Sequence, residues 1–414
     1  MRILHTGDWH LGKNLEGHER IKEQEQFIDE LVQIADTYQV QMILVAGDIY
    51  DHSNPPAKAE RLFYEALRRL NNKGERIIVV IAGNHDHPER LAATAPLLYE
   101  EGIFLFGTIY DTVPKGTYSN FAIQHSGKGY MEIEVKGERV VLLTLPYPSE
   151  KRLNEIFTEE LQEEEQQKAY SQRIGELLRQ LAVHYQEDTI NILVSHLYLG
   201  GGEESESERP IQLGGSLAVD IEEFPRGAQY IALGHLHRPQ RIQGSQVTAY
   251  YAGSPIQYSK SEITYAKSVY IADVIPNKKP KVEQVFLKNY KPIEIWNCKS
   301  MGEALARCEE PCEYPHWTYL EIETEEVLHQ EDIKTLRQLK KDIIEIIPRL
   351  KNIEEEQLVY EDPMDKTMEA LFREFYTSQR QVPPTQELVE LFLDIMENGG
   401  GEDETHSIED SRAK

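Results

Sequence analysis

Cysteine is scarce: Cys298, Cys308 and Cys312 are the only three in 414 residues. So few thiols, and an odd number of them, exclude a disulfide-stapled scaffold and fit a reducing compartment. Long apolar runs are missing too. The longest, Ile77–Ala82, falls well short of the ~18–20 residues a membrane helix needs. Met1-Arg2-Ile3-Leu4-His5-Thr6-Gly7-Asp8 lacks the charged-then-apolar layout of a signal peptide. A cytoplasmic location with no membrane attachment is therefore expected. Positive charge is also short, with 44 Lys+Arg against 71 Asp+Glu and a formal net charge of -27. A domain that grips nucleic acid by electrostatics alone is usually basic. Either this chain does not bind nucleic acid, or bound cations and a basic partner supply the positive field. Finally, no Gly-x₄-Gly-Lys-Ser/Thr phosphate loop occurs, so any ATP dependence has to come from another subunit.

What is present is globular: 40% hydrophobic and 9% aromatic residues, at a length that predicts two or three domains of roughly 100–200 residues. Strand-like Arg2–His5, Val40–Ala46 and Ile77–Ala82 alternate with helical stripes, one of Phe27, Ile28, Leu31, Val32 and Ala35, the other of Leu62, Ala66, Leu67 and Leu70. That alternation predicts an α/β layered fold with a buried sheet. Further strands are expected at Val140–Leu145, Asn191–Ser195, Tyr230–Leu233, Val247–Tyr251 and Ser268–Val274. Between Glu150 and Asp188, Leu153, Phe157 and Leu161 and then Ile174, Leu177, Leu178 and Leu181 predict an inserted helical pair. Gly200–Gly215 reads as a mobile loop. Pro276-Asn277-Lys278-Lys279-Pro280 ends a first domain of residues 1–278. Residues 286–358 read as a small α+β unit, with strands Pro292–Trp296 and Trp317–Ile322 and helices Met301–Arg307 and Asp332–Ile346. Residues 363–398 carry two amphipathic stripes separated by Pro383-Pro384, a helical pair. Residues 399–414 form a disordered acidic tail.

Five short polar segments stand at the ends of expected strands: Asp8-Trp9-His10, Gly47-Asp48-Ile49-Tyr50-Asp51, Gly83-Asn84-His85-Asp86, His196, and Gly234-His235-Leu236-His237. Asp, Asn and His are hard or borderline ligands for Mn²⁺, Mg²⁺, Fe²⁺ or Zn²⁺. In extended chain, residues i and i+2 face one side, so Asp8 with His10 and His235 with His237 can converge. The carboxyl edge of a sheet is where open α/β folds bind ligands. Taken singly, Asp-x-His, Gly-Asp and His196 have bland explanations as turn or core residues. Gly-Asn-His-Asp after Ile77–Ala82 and Gly-His-x-His after Ile231-Ala232-Leu233 have no packing purpose.

The ordered set D-x-H, G-D-x-x-D, G-N-H-D, H, G-H-x-H resembles the calcineurin-like metallophosphoesterases over roughly residues 1–275, with no segment departing from the pattern. Met1–Gly12 and Gly47–Pro56 look closer to the SbcD family of bacterial double-strand-break repair nucleases. The resemblance implies a layered β-sandwich flanked by helices, a capping domain at 286–358 and an ATPase-docking helical pair at 363–398. It assigns one divalent ion to Asp8, His10, Asp48 and His237 and a second to Asp48, Asn84, His196 and His235, with Asp48 bridging. Mn²⁺ is the expected metal and Mg²⁺ the alternative. His85 is implied as the proton donor to the leaving oxygen, with Asp86 orienting its ring; the alternative for His85 is a further metal ligand. Asp51 is expected to orient a metal-bound histidine, or else to be a solvated turn residue, and His52 to contact substrate or leaving group.

Two cations against two carboxylates leave the cluster at about +2 by formal charge, a phosphate-binding hole in an acidic protein. The implied activity is that of a DNA nuclease subunit in an SbcCD-type complex. It would act as a 3′→5′ exonuclease on duplex ends and an endonuclease on single strands and hairpins, as a homodimer within a heterotetramer with a coiled-coil ATPase. A free-standing phosphodiesterase or phosphatase on small substrates is the alternative, and a metal-free scaffold is a third.

Overall fold

The computed structural model describes residues 1–149, 163–208, 218–243, 247–325 and 328–350, with single positions between 372 and 392. Met1–Arg349 form one compact unit and Leu350–Lys414 a second.

The first unit is built on two sheets. One has six strands in the order Lys281–Phe286, Ser268–Asp273, Arg2–Thr6, Met42–Ala46, Ile77–Ile81, Ile103–Phe106. Its last four strands run parallel. The second sheet has eight strands, and its central members Glu138–Leu145, Ile190–His196, Tyr230–Gly234 and Ala249–Tyr251 are also parallel. Strand periodicity sorts the side chains into layers. Ile3, Leu44, Val79 and Phe104 meet Ile133, Leu142, Ile192 and Tyr230 between the sheets. Leu4, Ile43, Val45 and Val80 face the other way, against Phe27, Leu31, Phe63 and Leu67 of the helices Ile21–Thr37 and Ala57–Asn71. Leu143, Leu193 and Ile231 pack on Tyr170, Ile174 and Leu178 of the helix Glu163–Leu181. The result is a four-layer helix–sheet–sheet–helix sandwich, as the family resemblance implies. No helix among the described residues is long and apolar enough to cross a membrane.

Several strands were not anticipated: Ile103–Phe106, Phe121–Gly127, Tyr130–Val135 and Lys281–Phe286. Of the inserted helical pair, the second member is the helix Glu163–Leu181; the first lies outside the described residues. So do residues 209–217 of the expected loop, nearly all of 363–398, and the tail at 399–414. Within the second unit, the Phe372 and Phe392 rings stack with centroids 4.1 Å apart.

One expectation needs correction. The helix expected over Asp332–Ile346 is the helix Gln330–Leu339, and Ile343–Leu350 is a strand of a three-stranded sheet with Ile293–Cys298 and Trp317–Thr324. Ile343 and Ile344 fall seven and eight residues after Leu336 and so imitate a continued helical stripe. The β-branched run Ile343-Ile344-Glu345-Ile346-Ile347 prefers a strand, and Pro348 is tolerated because this strand lies at the sheet edge.

The small sheet is joined to the sandwich through a buried charge cluster. Arg20 and Glu23, 1% and 6% exposed, pair at 2.5 Å, and Arg20 also donates to the Gln257 carbonyl at 2.7 Å. The Trp317 indole donates to Glu23 at 3.0 Å, and the Arg20 guanidinium lies over the same ring system. Deleting one member strands the other as an unpaired buried charge. Glu23→Ala should therefore destabilise the Met1–Arg349 unit by about 3–5 kcal/mol, read as a lowered midpoint in chemical denaturation. A loss under about 1 kcal/mol would contradict a buried, mutually dependent pair.

Candidate metal centre

The polar segments all leave the carboxyl ends of parallel strands, and backbone bonds lace them together. Asp8 N donates to Gly47 O at 3.0 Å, His10 N to Asp48 O at 3.0 Å and Leu11 N to Ile49 O at 2.9 Å, continuing the strand pairing beyond the sheet. Asp8, His10 and Asp48 adopt φ of 50°, 44° and 47°, and His235 a φ of 111°. Non-glycine residues held there cost on the order of 1–3 kcal/mol each and cluster where function demands them. Two glycines make room. A Cβ on Gly47 would strike the His196 ring, and one on Gly83 the Asp48 carboxylate.

Asp86 does not do what its sequence neighbour suggested. Its carboxylate accepts the amides of Ile49 at 3.1 Å, Tyr50 at 3.0 Å and Gly83 at 2.8 Å, clasping two strand-end loops together. The His85 ring is held instead by the Asp51 backbone carbonyl, 2.7 Å from Nδ1. Burial and the adjacent Asp48 push the Asp86 carboxyl up to about 7, against the three amides that hold it down. The Asp51 carboxylate sits 3.7 Å from His10 Nδ1 and 3.2 Å from Lys13 Nζ. His52, largely exposed, is 3.1 Å from the other Asp51 oxygen.

The seven expected ligands come together around Asp48. Its Oδ2 is 3.6 Å from His10 Nε2 and 3.5 Å from His196 Nε2. His10 Nε2 lies 3.0 Å from His237 Nε2. Asn84 Oδ1 is 2.8 Å from His196 Nε2 and 3.2 Å from His235 Nδ1. The ligating atoms of Asp8, His10 and His237, and those of Asp8, Asp48 and His196, each lie within 4.8 Å of one another; so do those of His10, Asp51 and His85. His85 stands at the margin, with Nε2 4.0 Å from Asp48 Oδ2.

The chemistry of this cluster fits divalent cations. His196 Nδ1 is 2.9 Å from the Ala46 carbonyl, which can only accept. The hydrogen is therefore on Nδ1, and the Nε2 lone pair points at Asn84 Oδ1. Acceptor thus faces acceptor, an arrangement that a cation resolves. Asp8 Oδ2 and His10 Nδ1 are buried without a hydrogen-bond partner. Burial lowers the pKa of His10, His196 and His235, keeping these rings in the neutral form that ligates. No thiolate takes part, which favours hard or borderline metals.

The sequence missed a group packed around this set. Gln24 binds the His10 carbonyl at 2.8 Å, Glu208 accepts the His237 amide at 2.7 Å, and Glu262 lies 3.2 Å from His237 Nδ1. None follows a strand or carries a recognisable spacing.

Burial, then the charge of Asp48, raises the Asp8 carboxyl well above the usual range. Asp48 itself is lowered: burial opposes its charge, but His196, His85 and the His85 amide outweigh it. In the metal-free pair Asp8 therefore holds a proton more tightly than a free carboxyl does, and a cation competes with that proton. Mn²⁺ binding should release protons and strengthen as pH rises toward the raised Asp8 pKa. Calorimetry in buffers of different ionisation enthalpy reads this directly; binding without proton release would contradict the raised Asp8 pKa.

A calcineurin-like phosphoesterase family model matches residues 1–239. The SbcD subunit of the SbcCD nuclease of Bacillus subtilis (strain 168) is 39% identical over 399 residues, covering 95% of this chain and 97% of that protein. The SbcD subunit of the Staphylococcus epidermidis SbcCD nuclease is 32% identical over 295 residues, covering 71% of this chain and 72% of that protein. With a family model matching more than half of it and similarity to an SbcD subunit running nearly end to end, the chain belongs to the calcineurin-like phosphoesterases, among the SbcD nuclease subunits.

Proposed function

We propose that this protein is the metal-dependent DNA nuclease subunit of an SbcCD-type complex, a phosphodiester hydrolase of repair, recombination and replication. The observation that carries the proposal is the Asp48 carboxylate, whose Oδ2 lies within 3.6 Å of both His10 Nε2 and His196 Nε2. Such a bridge suits two divalent ions, Mn²⁺ in preference to Mg²⁺. One would be held by Asp8, His10, Asp48 and His237, and the other by Asp48, Asn84, His196 and His235. Ions held there would supply Lewis-acid polarisation of a phosphoryl oxygen and would acidify water. They also give an acidic protein the local positive charge that a phosphodiester needs.

The chain's own residues do the rest. Asp86 fixes the two loops that carry Asp48 and Asn84. His85, with Nδ1–H anchored on the Asp51 carbonyl, presents Nε2 toward the centre; with both ring nitrogens protonated it donates the Nε2 proton to the leaving oxygen and is left as the neutral Nδ1–H ring. The Asp51 carboxylate orients the His10 ring, and His52 contacts substrate or leaving group. Residues 1–278 carry this chemistry and residues 286–358 cap it. Residues 363–398 dock on an SbcC-type coiled-coil ATPase, in a homodimer within a heterotetramer. The substrates are duplex ends for 3′→5′ exonuclease action, with single strands and hairpins cut endonucleolytically. The setting is the cytoplasm, at the nucleoid when DNA is bound.

A free-standing phosphodiesterase would use the same centre. The similarity over 95% of the chain, continuing well past the catalytic unit, favours the complex-forming reading. With Mn²⁺, purified protein should degrade a labelled duplex; hydrolysis of bis-p-nitrophenyl phosphate or a cyclic nucleotide without DNA cleavage would favour the alternative.

Three variants test the assignments. Asp48→Ala should lose tight binding of both metals, with nuclease activity at background; two metals per chain and retained cutting would refute the bridge. His85→Ala should keep metal stoichiometry while turnover falls by ~10²–10⁴, the usual loss for an acid–base group. Metal lost together with activity would make His85 a ligand. Truncation after Glu361 should leave manganese-dependent cleavage intact and abolish the ATPase complex on gel filtration, because short amphipathic helices, which the sequence predicts for 363–398, rely on a partner for their apolar faces. An equally tight complex from the truncated chain would refute the docking role.

A further inference from the structure

Behind His237 lies a buried polar cluster that belongs to none of the strand-end segments. Glu262, in the short 3₁₀ turn Lys260–Thr264, is 0% exposed. One of its carboxylate oxygens is 3.2 Å from His237 Nδ1 and accepts the Ser207 hydroxyl. The other accepts the Tyr258 amide at 3.1 Å and pairs with the ammonium of Lys267, which is itself buried. Lys267 donates in turn to Ser254 Oγ at 2.7 Å and to the His237 carbonyl at 3.2 Å. From the loop after the His196 strand, Ser207 Oγ approaches His237 Nδ1 at 2.5 Å.

Counting protons fixes the ring. An ionised carboxylate paired with lysine can only accept, and the single hydroxyl proton of Ser207 goes to it. Toward His237, Ser207 therefore offers lone pairs alone. Both neighbours of Nδ1 are acceptors, so Nδ1 carries the hydrogen and Nε2 keeps its lone pair, aimed at His10. A buried ion pair is by itself a poor stabiliser compared with well-packed apolar residues. Orienting a ligand gives this one a purpose that packing does not.

We propose that Glu262 is a positioning residue of the metal centre: through Nδ1 it fixes the tautomer and orientation of His237, with Lys267 as its counter-ion and Ser207 tying the 200–208 loop to the same ring. This rests on His237 being a metal ligand. Carboxylates behind ligating histidines raise metal affinity on the order of 10–100-fold, and that is the loss expected at one of two Mn²⁺ sites in Glu262→Gln, the other site unchanged.

The experiment is Mn²⁺ calorimetry on the full chain, together with ¹⁵N imidazole spectra of the metal-free protein. The comparison set is wild type, Glu262→Gln, Glu262→Gln/Lys267→Met (which removes both buried charges) and His237→Ala. Wild type should show His237 in the Nδ1–H form, the Glu262 variants should show mixed tautomers with one weakened site, and His237→Ala should lose that site. If His237→Ala loses the site while the Glu262 variants bind as wild type with the tautomer unchanged, the positioning role is overturned and the ligand assignment stands. If His237→Ala binds both ions normally, the ligand assignment falls and takes the positioning role with it. An Nε2–H tautomer in wild type overturns the proposal whether or not any variant folds.

Discussion

Two carboxylates, Asp8 and Asp48, are buried close together, and among the described residues neither makes an ion pair with lysine or arginine. Holding that much negative potential inside a protein is costly unless it is paired. The centre is organised to make it tolerable. Backbone amides bind each carboxylate, His235 N on Asp8 and His85 N on Asp48, both at 2.9 Å, and imidazoles surround them. What remains unresolved, the unpartnered Asp8 Oδ2 and the opposed lone pairs of His196 Nε2 and Asn84 Oδ1, is the preference for cations. The fold supports this by bringing the carboxyl edges of two parallel strand sets together and stitching their loops with backbone bonds.

Support extends outward from the ligands in two directions. Through Gln24, Tyr258 and Trp9, the His10 loop is bound to the helix Ile21–Thr37 and to the segment before Lys260–Thr264. The same helix supplies Glu23, whose partner Trp317 belongs to the small sheet. The loop that carries His10 and the small three-stranded sheet therefore both bond to one helix.

The convergence of the polar segments was legible because Asp, Asn and His clustered at successive strand ends have a metal-binding purpose and little packing purpose. The layers were legible because alternating and helical apolar spacings differ. Other features were not. Ile343 and Ile344 continued a helical stripe by accident of spacing while lying in a strand. Asp86, adjacent to His85 in sequence, reaches across to the Asp48 loop instead, since neighbours in a tight turn point apart. Glu262, Glu208 and Gln24 are single polar residues in polar or amphipathic stretches, and only the folded chain shows what they face.

The central claim is that two divalent cations share Asp48. Anomalous diffraction at the manganese edge from crystals of the full chain soaked in Mn²⁺ tests it most directly. The account predicts two peaks ~3.5–4 Å apart, one beside His10 and His237, the other beside Asn84, His196 and His235, with the Asp48 carboxylate touching both. A single peak, or two peaks with Asp48 bound to only one, would contradict it.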